Sequence, residues 1–347
     1  MLLKSKSICA LTLILLSICC TVCLPRYAVA AQDKDTGEKA KKEKKEGKKK
    51  AKDDGGGTIA RPVLWEDPTD IESRDLFNGP GGAEGAPDPN GKFTFESRST
   101  KGTSEKIHVE DDKGRKWTVK FGAEAKPETT ATRIVWAAGY HVDQDYFVKR
   151  THILGRGGFD VWDVRFERRD DGYKEEGLWS WESNPFNGTR ELQGLKVLMA
   201  LLNNWDLKID NNKIVRPSKK SGADRDERIY YDADLGATLG STGSFFAKLP
   251  FFGNAPAGSK GDPDGYSKQI FIDGVKNGQV VFHYKGKDPK ALEGVTVENA
   301  RWMGNLLGRL SDKQLTDAFR AGGFSDSEVA IYVGAVRDRI NQLKNLK

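Results

Sequence analysis

The sequence predicts an α+β chain that is β-rich first and α-rich last, and three patterns carry the prediction. Between residues 92 and 121, short runs alternate apolar and polar side chains at the two-residue period of half-buried strands. Residues 190–202 place Leu192, Leu195, Leu198, Met199 and Leu202 on one helical stripe. Three more amphipathic segments, around residues 297–310, 312–321 and 325–343, close the chain. A small antiparallel β lobe followed by a mainly α-helical lobe is therefore expected.

Taken in order, Lys4 and Lys6 precede an apolar run from Ile8 to Leu24, and Ala28-Val29-Ala30 sets small residues two apart, as signal peptidase requires. Residues 1–30 are thus expected to be a secretory signal and the body to be exported, periplasmic or secreted; the alternative is a retained membrane anchor. Residues 31–57 are nearly all Lys, Glu, Asp, Ala and Gly, which is too little apolar surface to offset chain entropy, so a disordered linker is expected. Its lysines offer an association with an anionic envelope or membrane surface. Residues 58–91, with Gly79-Pro80-Gly81-Gly82, read as an irregular lead-in.

Charge and cysteine usage follow the same division. The 347 residues carry a net charge of +6, but residues 1–30 hold three bases without an acid and residues 31–54 hold ten Lys against seven acids, so the body from residue 55 is neutral. That charge is no evidence for a basic groove, and no nucleic-acid partner is expected. All four cysteines, Cys9, Cys19, Cys20 and Cys23, lie in the leader, which excludes a disulfide framework or Cys-ligated zinc in the body.

Strands are expected at 92–96, 106–110 and 117–121, with a turn at Asp112-Lys113-Gly114-Arg115. A helix should open at Pro127, bury Ala131, Ile134, Val135 and Ala138, and stop at Gly139. A strand around Tyr146-Phe147-Val148 follows, then one in which Trp162, Val164 and Phe166 face inward while Asp163, Arg165 and Glu167 face out. Trp179 and Trp181 fall in a loop, where they read either as a stacking platform for a sugar or as packing aromatics. Two short strands, at 213–215 and 228–232, complete the middle of the chain. The β-rich part is expected over 92–150 and the helical part over 151–347.

Two polar segments could carry chemistry. Asp206-Leu207-Lys208-Ile209-Asp210-Asn211 follows the apolar helix, and Tyr231-Asp232-Ala233-Asp234-Leu235-Gly236 ends the hairpin after it. Phosphoryl transfer needs a carboxylate near the attacking hydroxyl and oxygen ligands for a metal, and Asp206, Asn211 and Asp234 have those chemistries. The plainer reading of residues 206–212 is a polar turn capping the helix. Of Asp232 and Asp234, two residues apart, one is expected in a site, and Gly236 favours Asp234.

In this order the motifs resemble the protein-kinase-like superfamily, in its atypical HipA-like and lipid-kinase-like branch. Residues 206–211 are similar to the D-L-K-x-x-N catalytic loop, and Asp234-Leu235-Gly236 to D-F-G. Trp117-Thr118-Val119-Lys120 resembles the V-A-I-K strand, and Lys101-Gly102-Thr103-Ser104-Glu105-Lys106 a short phosphate loop. The resemblance implies a two-lobed kinase-like fold using ATP and Mg2+. It makes Asp206 and Lys208 catalytic, puts Lys120, Glu128, Gly102, Thr103 and Ser104 on the nucleotide, and gives the metal to Asn211 and Asp234. There is no G-x-G-x-x-G, no His-Arg before Asp206 and no A-P-E after Asp234, so the acceptor is left open. The alternative function is a catalytically inactive pseudokinase-like module that binds an envelope partner.

Overall fold

A computed structural model describes residues 60–99, 105–169, 172–222, 224, 226–243 and 257–347. The expected secretory signal and linker, residues 1–57, and the expected phosphate-loop residues Gly102, Thr103 and Ser104 lie outside the described residues.

Five strands form a closed barrel: β2 (Phe93–Ser99), β3 (Lys106–Asp111), β4 (Lys116–Lys120), β5 (Asp145–Leu154) and β6 (Phe159–Arg168), in the order β2-β3-β4-β6-β5. The short strands of the sequence reading are there, and β2 closes the ring by pairing parallel to β5 at Phe93↔Ile153 and Thr94↔Leu154. Inward side chains fill the barrel, among them Ile107, Val109, Trp117, Val119, Val164 and Phe166. The Trp117 ring meets Phe166 edge-on at 5.9 Å, and its indole N–H donates to Asp111 Oδ2 at 3.0 Å, so the polar atom of a buried aromatic is satisfied. Asp111 also fixes the β3–β4 turn by accepting from the backbone of Lys113 and Arg115.

The barrel runs to Arg168, so the β-rich part extends beyond the expected boundary at residue 150. In β6 the alternation was read one step out for Trp162. Asp163 takes a left-handed φ of +49° while the pairing with β5 keeps its register on either side, and Val161 and Val164 are buried while Trp162 is 49% exposed.

Between β4 and β5 runs the helix α2 (Ala125–Ala137). It starts two residues before the expected Pro127, which still falls in the first turn, where backbone N–H groups have no helical partner. The stop at Gly139 is as expected, and its reason is steric. With φ +93°, an added Cβ would lie 2.2 Å from Glu66 O and 2.7 Å from the Trp65 indole nitrogen, which itself donates to Ala138 O. Gly139→Ala should therefore lower stability by about 2–3 kcal/mol, from left-handed strain plus the clash. An unchanged urea midpoint in the variant would contradict this packing.

The lead-in is mostly irregular but not idle. Its short strand β1 (Arg61–Val63) pairs parallel to β9 (Glu227–Asp232), in a sheet of order β1-β9-β8-β7 with β7 (Tyr173–Leu178) and β8 (Asn212–Pro217). A short helix α1 (Gly82–Gly85) follows β1. Glu72 pairs with Arg309 at 2.6 Å, and Gln314 Nε2 donates to Ile71 O and Arg74 O, tying the lead-in to the helices at the end of the chain.

Those helices are α3 (Arg190–Leu201), the short α4 (Pro263–Lys268), α5 (Val297–Leu307), α6 (Asp312–Ala321) and α7 (Asp326–Lys344). Thr189, Thr296, Ser311 and Ser325 cap four of them, the last two with reciprocal capping boxes. Their apolar faces share one core, in which Phe319 stacks on Tyr332 at 4.6 Å. A two-stranded ribbon, β10 (Ile272–Lys276) and β11 (Gln279–Phe282), completes the fold. This is the α+β order expected, β-rich first and α-rich last. No helix among the described residues is long and apolar enough to cross a membrane.

Candidate functional site

A cavity of about 390 Å3 lies between the outer face of the barrel and the segments after α3. Lys120, the last residue of β4, points out of the barrel because Val119 before it fills the interior. One helical turn into α2, Glu128 meets it: Lys120 Nζ lies 3.0 Å from Glu128 Oε2, 2.7 Å from Glu124 Oε2 and 3.6 Å from Asp234 Oδ1. The expected pairing of Lys120 with Glu128 is made, and Asp234 joins it across the cleft.

Burial disfavours the ammonium of Lys120, but Glu128 and the other carboxylates outweigh it and raise its pKa. Burial likewise pushes the Glu128 carboxyl up, to about 7, against the pull of Arg165 and Lys120. Glu124 goes the other way: despite burial, Lys120 and Lys260 hold it at about 2.

Arg165 organises the floor of this cluster. It is 3% exposed, and it reaches Glu128 at 3.0 Å, Asp145 at 2.8 Å and Glu167 at 2.6 Å. Its strand, β6, pairs with β4 so that Arg165 stands opposite Lys120.

The second segment follows α3. Asn203 takes a left-handed φ of +54°, turning the chain out of the helix, and Asn204 Nδ2 donates to Asp232 Oδ2 at 3.2 Å. Residues 209–211 form a single 3-10 turn, and Asn211 Nδ2 donates to Asp206 O at 2.6 Å. Asp206 is held by Lys208 at 3.0 Å and by Lys287 at 2.9 Å. Burial opposes ionisation of Asp206, yet Lys287 and Lys208 prevail and keep its carboxyl below the ordinary range. Residues 206–211 do follow an apolar helix as a polar turn, with the side chain of Asn211 bonded back into it.

β9 ends at Asp232, so Asp234 lies on the loop beyond the strand. Asp232 is buried, and it accepts from the backbone N–H of Asp234 at 3.3 Å, which sets the loop that carries Asp234. Burial and the neighbouring Asp234 raise the Asp232 pKa well above the ordinary value.

The donor chemistry suits a hard divalent cation. Glu124, Glu128 and Asp234 each bring a carboxylate oxygen within 4.8 Å of the others, an all-oxygen set, but Glu124 and Glu128 are engaged by the Lys120 ammonium at 2.7 and 3.0 Å, which leaves Asp234 as the carboxylate for a cation. In Asn211 the amide nitrogen is committed to Asp206 O, which leaves Oδ1 as its ligand atom.

Four residues at the cluster were not singled out in the sequence: Glu124, Arg165, Lys260 and Lys287. Glu124 stood one turn ahead of Glu128, a spacing that does signal a shared helix face. Lys260, which pairs with Glu124, and Lys287 arrive from distant segments and left no local signal. Trp179 and Trp181 are 4% and 1% exposed and pack edge-on at 4.8 Å. They are core residues, as the packing reading had it, and offer no exposed platform for a sugar.

No family model matches the chain, and no curated protein matches it. Among solved structures it is similar to the Helicobacter pylori proinflammatory kinase CtkA, with 13% sequence identity, a TM-score of 0.39, and coverage of 74% of this chain and 94% of that one.

Proposed function

We propose that this chain is an exported kinase-like phosphotransferase, which takes a nucleoside triphosphate with Mg2+ in the cleft below the barrel and transfers its terminal phosphoryl group to a hydroxyl acceptor. The observation that carries the reading is the convergence of Lys120 with Glu128 and Asp234 in one cavity that Asn211 also lines, as the motif order implies. Export rests on the leader, with its two lysines, apolar run and small residues.

In this reading Lys120, kept charged and fixed by Glu128 and Glu124, orients the phosphates. Asp206, kept ionised by Lys208 and Lys287, accepts a hydrogen bond from the acceptor hydroxyl and aims it. Lys208, beside Asp206 at 3.0 Å, would share the transferred charge. Asn211 and Asp234 would hold Mg2+, which when bound neutralises charge between the phosphates.

The test is thermal melting of the full chain with ATP and Mg2+ at millimolar concentration. Wild type should gain about 2–4 °C per kcal/mol of binding, and Lys120→Ala should gain nothing. No shift in the wild-type protein removes the proposal.

A further inference from the structure

We infer that the protein carries a second ligand site, outside the cleft, for a small uncharged nitrogen heterocycle: one flat ring with hydrogen-bonding groups on its edge.

The site is a cavity of about 170 Å3 where β1, β9, the end of α2 and the lead-in meet, and none of its lining residues lines the cleft cavity. Strand register builds its floor. Arg61 stands opposite Glu227 and Val63 opposite Ile229, so the two-residue period sets these four side chains on one face of the sheet. Trp65, Trp136 and Tyr173 line the cavity as well. A cavity of about 150 Å3 is enough for a benzene-sized molecule, and hydrophobic and aromatic linings are what small-molecule pockets share.

The polar atoms set the chemistry. Glu227 is 8% exposed; the more exposed Arg61 pairs with its Oε1, and its Oε2 has no partner among the described residues. Arg74 lies over the Trp136 ring at 4.8 Å. Its Nε–H goes to Asp70 and an Nη1–H to Trp136 O, which leaves Nη2 without an acceptor among the described residues. His141 packs edge-on against Tyr173 at 4.6 Å and Tyr231 at 4.9 Å, and neither ring nitrogen has a hydrogen-bond partner among the described residues. Burial pushes this imidazole down to about 4, so near neutral pH it is uncharged and offers one donor and one acceptor.

Those groups argue against a charged ligand. Glu227 is already balanced by Arg61, and Arg74 by Asp70, so a net charge brought into the cavity would lose water without gaining a free counter-ion. A neutral ring with an N–H or amide group beside a carbonyl or ring nitrogen fits better. It can donate to Glu227 and accept from Arg74, while His141 answers either polarity.

Calorimetric titration of the full chain with nicotinamide and with cytosine tests this, against benzoate and benzylammonium as charged rings of similar size. Both heterocycles should bind about tenfold or more tightly than either charged ring, and ATP with Mg2+ should not displace them. Glu227→Met should weaken them about tenfold, the loss of a hydrogen bond to a charged group. His141→Phe, which keeps the ring packing, should cost about three- to tenfold. Melting curves establish that each variant is folded. No heterocycle binding by wild type up to about 10 mM overturns the inference, as does a charged ring binding equally well. Displacement by ATP, or undiminished binding in either folded variant, overturns it too by placing the heterocycle elsewhere; none of these outcomes bears on the phosphotransferase reading.

Discussion

Replacing Arg165 with methionine should destabilise the fold by about 3–5 kcal/mol, the usual result of removing one partner from a buried ionic cluster. Methionine keeps much of the volume, so the effect isolates the charge. Without the guanidinium, Glu128, Asp145 and Glu167 lose the cation they share at 3.0, 2.8 and 2.6 Å. The deficit has a definite pH sign. Burial raises Glu128 from 4.5, and Asp145 from 3.8, to about 7. Between those ordinary values and about 7 the folded chain holds protons that the unfolded chain has released, so these two groups favour folding at the acid end and lose that contribution as pH rises to 7. Removing Arg165 pushes both carboxyls higher still. The variant's deficit in urea midpoint should therefore be larger at pH 8 than at pH 5. A deficit that does not change with pH would show that Arg165 acts through packing and not charge.

Asp206→Asn should lower phosphoryl transfer by about 10^2 to 10^4, the range for loss of a positioned acid–base group. Water can serve as the acceptor, so release of phosphate from ATP provides the measurement. Stability should change by no more than about 1 kcal/mol, because the lysines that Asp206 holds, Lys208 and Lys287, are 42% and 48% exposed and return to solvent. Transfer at the wild-type rate in the variant removes Asp206 from the mechanism. A large fall in melting temperature would instead make its role structural.

Lys120, Glu128, Asp206, Asn211 and Asp234 could be picked out of the sequence because each sits in a short ordered motif on an element that local pattern defines. Arg165 could not, for a physical reason. Period-two alternation separates the two faces of a strand but does not say what the polar face meets, and in β6 that face meets a cleft. The pattern also missed β7, whose Tyr173–Leu178 run is half charged and joins its sheet through backbone pairing with β8. Closure of the barrel depends on two parallel register pairs between strands about 60 residues apart, a long-range event with no local signature. The C-terminal helices were legible almost to the residue, because their Ser caps and apolar stripes are local.

The parallel pairing of β1 with β9 also gives the molecule a mechanical property. Arg61, Pro62 and Val63 register with Glu227, Arg228 and Ile229, and Arg61 pairs with Glu227 at the outer end. Tension applied along the chain at Arg61 would load this ribbon lengthwise, so that its cross-strand bonds share the force in shear rather than opening one by one. β9 ends at Asp232, which anchors the Asp234 loop. Any pull on the amino-terminal side of the chain is thereby delivered to the strand that sets the position of Asp234.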